Sequence, residues 1–477
     1  MEPMKEHWTS RNVGIRGMEF YFPKLYVKLR ELEVFDEVSR GKYTVGLGQS
    51  EMSFCADHED ITSICLTVVS KLLNNYDLST KDIGFLCVGT ETLIDKSKSV
   101  KTSLMRLFGE NCDIEGIDVK NACYGGTQAL FHAIDWIYAN WEIEKRYAIT
   151  VMADIALYDA GPARCTGGVG AFAALIGPNA IVSFDRGLRG VYMADIYDFY
   201  KPNQPVVSEY PIVEGQTSIQ AYFTALHQTY ELYCQKSNRL RHEGVDISKF
   251  DALFFHCPFT RLVKKAFGLL AFLDFKHGYN DHLLDIQELE LEKFIFTPRE
   301  MNYMNRDFVA ATEKMSSVLY SKKTEPFLVL NRRLGNMYTA SLYSQLIYYF
   351  YRSNSKDHII NQRLLFFSYG SGVAAATFSA HISMLQQDSE DQYIKIKKSV
   401  NQVISQLNRR ICVEPKRYHE ILRLREELTS ATAPYKPEGA KNDLTNDFSL
   451  FPDTYYLENI GDKYKRFYAQ SNGKTVH

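Results

Sequence analysis

Residues 114–137 read IEGIDVKNACYGGTQALFHAIDWI. Ile114 to Val119 is a short strand-like run, and a turn holding Cys123 and the pair Gly125-Gly126 follows it. Beyond the turn, Gly126, Ala129, Leu130, Ala133, Ile134 and Ile137 recur at helical spacing and make one apolar face. The next apolar run is Ala148 to Ala153 (AITVMA). Strand, helix, strand in that order predicts an α/β architecture with a mostly parallel central sheet.

Upstream, Ile83 to Gly89 (IGFLCVG) is nearly continuous in apolar residues, as a strand covered on both faces would be. Downstream, Ala252 to Phe255, Phe327 to Leu330 and Leu364 to Phe367 make a second series of short apolar runs. Each of these leads into a polar or glycine-containing turn. The chain therefore divides into two α/β halves, 11–184 and 185–461, with the break expected near 184–190. The segments 274–300 and 430–450 are more polar and read as surface excursions.

At 477 residues and 45% hydrophobic, the chain can bury a large core without a disulfide or metal staple. Lys+Arg 55 against Asp+Glu 57 leaves a net charge of −2, which argues against a dedicated nucleic-acid binder. Nine cysteines with no C-x-x-C pair fit neither a zinc ribbon nor a disulfide scaffold, and imply a reducing compartment. The first residues, MEPMKEHWTSRN, are polar and carry acid, unlike a secretory or organelle leader. No window reaches 18 apolar residues, so no membrane span is expected and the chain reads as cytoplasmic.

Cys123 lies where a helix dipole and free N–H groups would favour a thiolate and could hold an oxyanion. It reads equally as a small buried apolar side chain. His256 leaves the end of the run ALFF, at the sheet edge where α/β proteins place ligands, or is a hydrogen-bonded structural histidine. Glu91 follows IGFLCVG as a base or as a solvated loop residue. Asn336, beside Gly335, is an oxyanion donor or a turn residue. Thr166-Gly167-Gly168-Val169-Gly170 lacks the spacing of a nucleotide loop. Arg261, Lys264 and Lys265 form a solvated helix face or a phosphate-capturing one.

These residues stand in a familiar arrangement. GTETLIDKSKSVKT (89–102), GIDVKNACYGGTQAL (116–130), TGGVGA (166–171), RGLRG (186–190), YDFYKP (197–202), SEYPIVEG (208–215), GNMYT (335–339) and FSYGSG (367–372) resemble 3-hydroxy-3-methylglutaryl-CoA synthase of the eukaryotic type. The likeness runs in order from about residue 11 to about residue 461. It implies a thiolase-like fold, two similar α/β halves stacked into a five-layered αβαβα core, and a homodimer. It implies condensation of acetyl-CoA with acetoacetyl-CoA, with no metal or redox cofactor. Cys123 matches the nucleophile, Glu91 the acid/base and His256 the residue that positions acetoacetyl-CoA. Asn336 matches the oxyanion-region Asn. Asp154, Asp198 and Phe199 match pocket-shaping positions, Thr166, Ser218 and Ser371 match acyl contacts, and Lys42, Lys265 and Arg261 match cations that meet CoA.

There are departures. Pro162 stands where relatives commonly have Asn, which would cost a ligand contact. Arg261 replaces a Lys, exchanging a point charge for a fork. Asn331-Arg332-Arg333-Leu334 is more basic than the usual Asn/Gln-rich version, and about two extra residues precede Ser208. These departures leave open a divergent condensing enzyme with another acyl acceptor. An inactive scaffold homologue would instead be expected to lack Cys123, Glu91 or His256, and all three are present.

Overall fold

The computed structural model describes residues 12–202, 209–384, 388–439, 450–471 and 474–475. The two extra residues before Ser208, and residues 440–449 of the 430–450 excursion, lie outside these.

Nine strands form the central sheet. In chain order they are β1 (Gly14–Tyr21), β2 (Ile83–Gly89), β3 (Glu115–Val119), β4 (Tyr147–Ala156), β5 (Gly168–Gly177), β6 (Val182–Met193), β7 (Ala252–Phe255), β8 (Arg363–Gly370) and β9 (Ala374–Ile382). Their order across the sheet is β7-β8-β9-β6-β1-β5-β4-β2-β3. The halves meet where β1 pairs β6 through Gly14↔Ser183 and Ile15↔Val182.

The expected parallel sheet is mixed instead. Only β7–β8, β2–β3 and β2–β4 pair in parallel. The other neighbours run antiparallel, because each half reverses direction through a loop rather than a crossover helix. Outward from the central seam, the pairs β1–β5, β5–β4 and β4–β2 are antiparallel, antiparallel and parallel. The pairs β6–β9, β9–β8 and β8–β7 repeat that pattern. This repeat makes the two halves alike where their sequences do not show it.

The helices that bear on the site are α1 (Ile61–Asn75), α2 (Gly125–Glu144), α3 (Gly215–Arg241), α4 (Thr260–Lys276), α5 (Arg306–Met315), α6 (Val329–Leu334), α7 (Tyr343–Arg352) and α8 (Ser389–Asn408). Five layers result. α1 and α8 cover the outer face of the first half, where Ser399 Oγ and the hydroxyl of Tyr76, next after α1, both donate to the Met18 carbonyl at 2.9 Å. α2 and α7 lie between the halves: Trp136 stacks on Phe85 and Phe131 meets Phe378, while Tyr343 stacks on Phe172 and Tyr349 meets Phe254. α3 and α4 cover the outer face of the second half through Tyr222 against Phe367 and Phe267 against Phe255. Strand alternation sorts the second half accordingly. Phe254, Leu364 and Phe366 join the inner core; Leu253, Phe255, Leu365 and Phe367 join the outer one.

One expectation about chain path fails, and one boundary shifts by a few residues. Phe327 to Leu330 is not a strand, since Phe327 ends a 3₁₀ turn opened by Glu325-Pro326 and Val329 begins α6. A four-residue apolar run cannot be told from a buried helix segment by periodicity. The break near 184–190 falls inside the continuous strand β6. The predicted face of α2 is buried as expected, from Ala129 to Ile137.

Candidate active site

Cys123 sits between β3 and α2 with φ +54°. Two glycines make its turn possible. A Cβ on Gly89 would lie 2.3 Å from the Gly126 backbone, and one on Gly370 would lie 1.8 Å from the Ala122 carbonyl. The donors at the start of α2 are already taken. The Cys123 N–H donates to Glu91 Oε2 at 2.6 Å, Gly125 N–H to the Asn121 carbonyl at 3.1 Å and Gly126 N–H to Thr339 Oγ1 at 2.7 Å. A helix start this deep must satisfy its orphan N–H groups with protein. The anion site expected there is thus filled by Glu91.

The expected thiolate is not favoured either. Burial pushes the Cys123 thiol well up, Glu91 and Asp154 add to that, and Lys201 opposes it. Two carboxylates in a dry pocket outweigh a helix dipole.

Glu91 is held by its neighbours. Asp154, fully buried at the end of β4, takes four donors on Oδ1: Thr90 Oγ1 at 2.8 Å, Glu91 N at 2.9 Å, Thr92 N at 3.1 Å and Thr92 Oγ1 at 2.9 Å. Its Oδ2 accepts from Thr339 N at 3.2 Å. Burial, then Glu91, pushes Asp154 up to about 7 against these donors and Lys201. Lys201 Nζ lies 3.0 Å from Glu91 Oε1 and 4.9 Å from the Tyr338 ring centroid. Burial lowers the Lys201 ammonium, but Glu91 and Asp154 outweigh burial and leave it raised.

His256 follows β7 as Glu91 follows β2, so the two groups occupy matching places in the two halves. Its ring is buried, and Nδ1 lies 3.0 Å from Ser341 Oγ. Ser341 Oγ also donates to the Tyr338 carbonyl at 2.8 Å. Burial lowers His256 to about 3, so the ring is neutral at any working pH.

Cys123 and His256 open into one cavity of about 220 Å³, whose wall includes Thr166, Phe199, Ser218, Asn336 and Ser371. Asn336 Oδ1 accepts from Tyr338 N at 3.0 Å. A second cavity, of about 710 Å³, shares Ile219 with the first and is lined by Arg261, Lys264, Lys265, Arg306 and Lys314. A basic mouth leading to a thiol suits a phosphorylated thioester.

Comparison with known proteins decides the family. The family model for the hydroxymethylglutaryl-coenzyme A synthase N terminal matches residues 9–181, and that for the C terminal matches residues 182–471. The chain belongs to the hydroxymethylglutaryl-CoA synthase family. A Caenorhabditis elegans hydroxymethylglutaryl-CoA synthase is 43% identical over 98% of this chain and 97% of its own length. The Homo sapiens cytoplasmic enzyme is 45% identical over 96% of this chain and 87% of its own. A Sus scrofa mitochondrial hydroxymethylglutaryl-CoA synthase is 44% identical over 96% and 89%. Among solved structures, MvaS in complex with 3-hydroxy-3-methylglutaryl coenzyme A superposes with a TM-score of 0.78 at 28% identity, covering 97% of this chain and all of that one. The α/β fold is therefore the thiolase-like one of hydroxymethylglutaryl-CoA synthases.

Within that family frame, some expected contacts need correcting. Asp154 and Asp198 do not line the cavity; both are fully buried behind its wall, and protein donors occupy them. Asp198 accepts from Tyr369 Oη at 2.6 Å and Gly372 N at 2.9 Å, so it fixes the loop that carries Ser371. Lys42 is exposed on the loop 41–48 and lines neither cavity, although Gly46 of that loop lines the mouth. Pro162 is exposed and off the cavity wall, where Ala163 stands instead. The basic pair in 331–334 is matched by acid: Arg332 meets Glu325 at 3.2 Å and Arg333 meets Glu51 at 2.9 Å. Lys201, Tyr338 and Ser341 were not singled out from sequence. Lys201 and Tyr338 lie inside the quoted stretches YDFYKP and GNMYT, which was their signal.

Away from the cavity, Asp246, Asp274 and His282 bring ligand atoms within 4.8 Å of one another. The Lys323 ammonium, bound to the Ser248 carbonyl at 2.8 Å, already sets a positive charge beside His282. Among the described residues, no helix is long and apolar enough to cross a membrane.

Proposed function

We propose that the chain condenses acetyl-CoA with acetoacetyl-CoA and water to give 3-hydroxy-3-methylglutaryl-CoA and CoA, at the mevalonate step of isoprenoid synthesis. One observation carries the reading: Glu91 hydrogen-bonds the Cys123 backbone from beneath a cavity that His256 shares.

The Cys123 thiol passes its proton to Glu91 as sulfur attacks the acetyl carbonyl, and Glu91 returns that proton to the departing CoA sulfur. Glu91 then takes a methyl proton from acetyl-Cys123. The resulting carbanion attacks the ketone of acetoacetyl-CoA, held by neutral His256, and the alkoxide recovers the proton from Glu91. Water cleaves the remaining Cys123 thioester. No metal or redox cofactor enters these steps.

The cytosol is the compartment that the relatives named cytoplasmic support. A homodimer is supported by the open edge of the sheet at β3, where Glu115, Gly116 and Ile117 are exposed.

Intact-protein mass spectrometry after brief exposure to acetyl-CoA, then an acetoacetyl-CoA chase, tests the reading. An acetyl increment on Cys123 that the chase discharges is expected, with Cys123→Ala blank and Glu91→Ala acetylated but unable to condense. Folded protein that gains no increment would make the chain a scaffold instead.

A further inference from the structure

The mouth of the cavity carries a carboxylate among cations. Arg261, Lys264, Lys265, Arg306 and Lys314 line it, and Glu313 of α5 is the one acid among its described lining residues. Glu313 Oε2 lies 2.9 Å from Arg261 Nη1 and 3.8 Å from Lys264 Nζ. The side chain is only 10% exposed, and Oε1 is buried with no hydrogen-bond partner among the described residues. A buried carboxylate with a spare oxygen is costly to keep, so its place between two cations calls for a reason.

α4 brings those cations to the mouth. Its first residue, Thr260, donates from Oγ1 to the Gly48 carbonyl at 2.6 Å, and Arg261 N donates to the Leu47 carbonyl at 3.1 Å. The guanidinium fork would suit a phosphate bidentately, but one of its arms is held by Glu313. A phosphate approaching Arg261 or Lys264 meets a like charge a few ångströms away.

We infer that Glu313 is a built-in counter-anion at the mouth, occupying Arg261 and Lys264 in place of a CoA phosphate and so weakening the hold on phosphorylated acyl carriers. The inference rests on the proposed CoA-thioester reading. Glu313 acts on the nucleotide end alone and has no part in the acyl chemistry. Its effect follows phosphate charge: it is felt by CoA, absent for pantetheine, and reduced by salt.

Isothermal titration of CoA and of pantetheine into wild type and Glu313→Gln tests this. The Kd for CoA is expected to fall roughly tenfold in the variant at low salt, with the gain shrinking at high salt and pantetheine unchanged. An unchanged or raised CoA Kd in Glu313→Gln, or an equal gain for pantetheine, would overturn the inference. Acetylation of Cys123 in the same preparation reports on the folded site. If wild type acetylates and binds CoA while the variant binds it no tighter, the inference alone falls. If neither protein binds CoA, the CoA-thioester reading falls and takes the inference with it.

Discussion

Lys201 Nζ stands 3.0 Å from Glu91 Oε1. That contact joins the segment after β6 to the turn after β2, and it sets a cation within reach of both carboxylates that crowd Cys123. Without it, nothing from Lys201 would offset the upward push that burial and Glu91 exert on Asp154.

Lys201→Met should therefore slow acetyl transfer. The variant loses the group that opposes the upward push on Cys123, so the rate of acetyl-Cys123 formation moves to higher pH. A loss of roughly ten- to a hundredfold near pH 7 is expected, with Lys201→Arg recovering part of it. Breaking a buried ion pair also destabilises the fold by about 3–5 kcal/mol, visible in urea melts. Quenched-flow mass spectrometry reads the rate, and a Lys201→Met protein acetylating like wild type would remove Lys201 from this role.

Asp154→Asn should damage catalysis without reaching the ligand. An Asn oxygen can replace Oδ1 toward Thr90, Glu91 and Thr92, but its NH₂ then faces the Thr339 N–H that Oδ2 accepted at 3.2 Å. Thr339 also holds Gly126 N–H at the start of α2 through Oγ1, so the clash reaches both Glu91 and the nucleophile turn. kcat should fall about a hundredfold with KM little changed, and stability by about 1–3 kcal/mol. Steady-state kinetics with both thioesters decides between this and a binding defect, which would raise KM instead.

What could be read from sequence follows from how local each feature is. The run from Ile83 to Gly89 and the apolar face of α2 carry their periodicities within a few residues, and both were placed correctly. Glu91 and His256 were readable because each follows a buried strand, IGFLCVG or ALFF, and Cys123 because its stretch GIDVKNACYGGTQAL joins a strand to the apolar face of α2. The antiparallel pairs were not, since pairing joins residues as distant as Ser183 and His381. The state of the thiol was not readable either. It depends on Glu91, Asp154 and Lys201 arriving from three separate segments, whereas the helix start that suggested a thiolate is visible in four residues. Asp198 resembled a pocket residue by position, yet only the fold shows its carboxylate turned onto Tyr369 and Gly372.

His256 gives a stability prediction with a definite sign. Its folded pKa is lowered by burial to about 3 from the ordinary 6.5. The unfolded chain thus takes up a proton that the folded chain refuses. This group's contribution is fully present above about 6.5 and is lost as pH falls towards 3. Each pH unit inside that window should cost about 1.4 kcal/mol at this site. Urea unfolding of wild type and His256→Asn at pH 4, 5, 6 and 7 checks it. The variant should show the shallower decline, and parallel declines would mean that the ring titrates normally in the folded protein.

Pro162→Asn is expected to leave the KM for both thioesters within about twofold of wild type, as surface changes away from special features generally do. The residue is exposed and lies off the cavity wall, with Ala163 and Thr166 nearer the chemistry. A large fall in KM on restoring Asn would show that the loop 157–166 closes over the ligand.

Gly370→Ala tests how rigidly the nucleophile is seated. A Cβ there would lie 1.8 Å from the Ala122 carbonyl and 2.6 Å from Tyr124 Cβ, and neither backbone nor Cβ can swing aside as a side-chain tip would. Either β8 or the Cys123 turn must shift, at a cost of about 1–3 kcal/mol typical of overpacking. Because Cys123 lies between Ala122 and Tyr124, the shift moves sulfur relative to Glu91, and acetyl transfer should drop by about a hundredfold. Gly109→Ala is the control: its φ is +58° with none of the described residues within 4 Å of a new Cβ, so it should cost only about 1 kcal/mol of strain. Acetylation should be normal in Gly109→Ala and crippled in Gly370→Ala at matched fractions folded. Equal activity in the two would mean that the turn tolerates displacement and that the close approach of Gly370 serves packing alone.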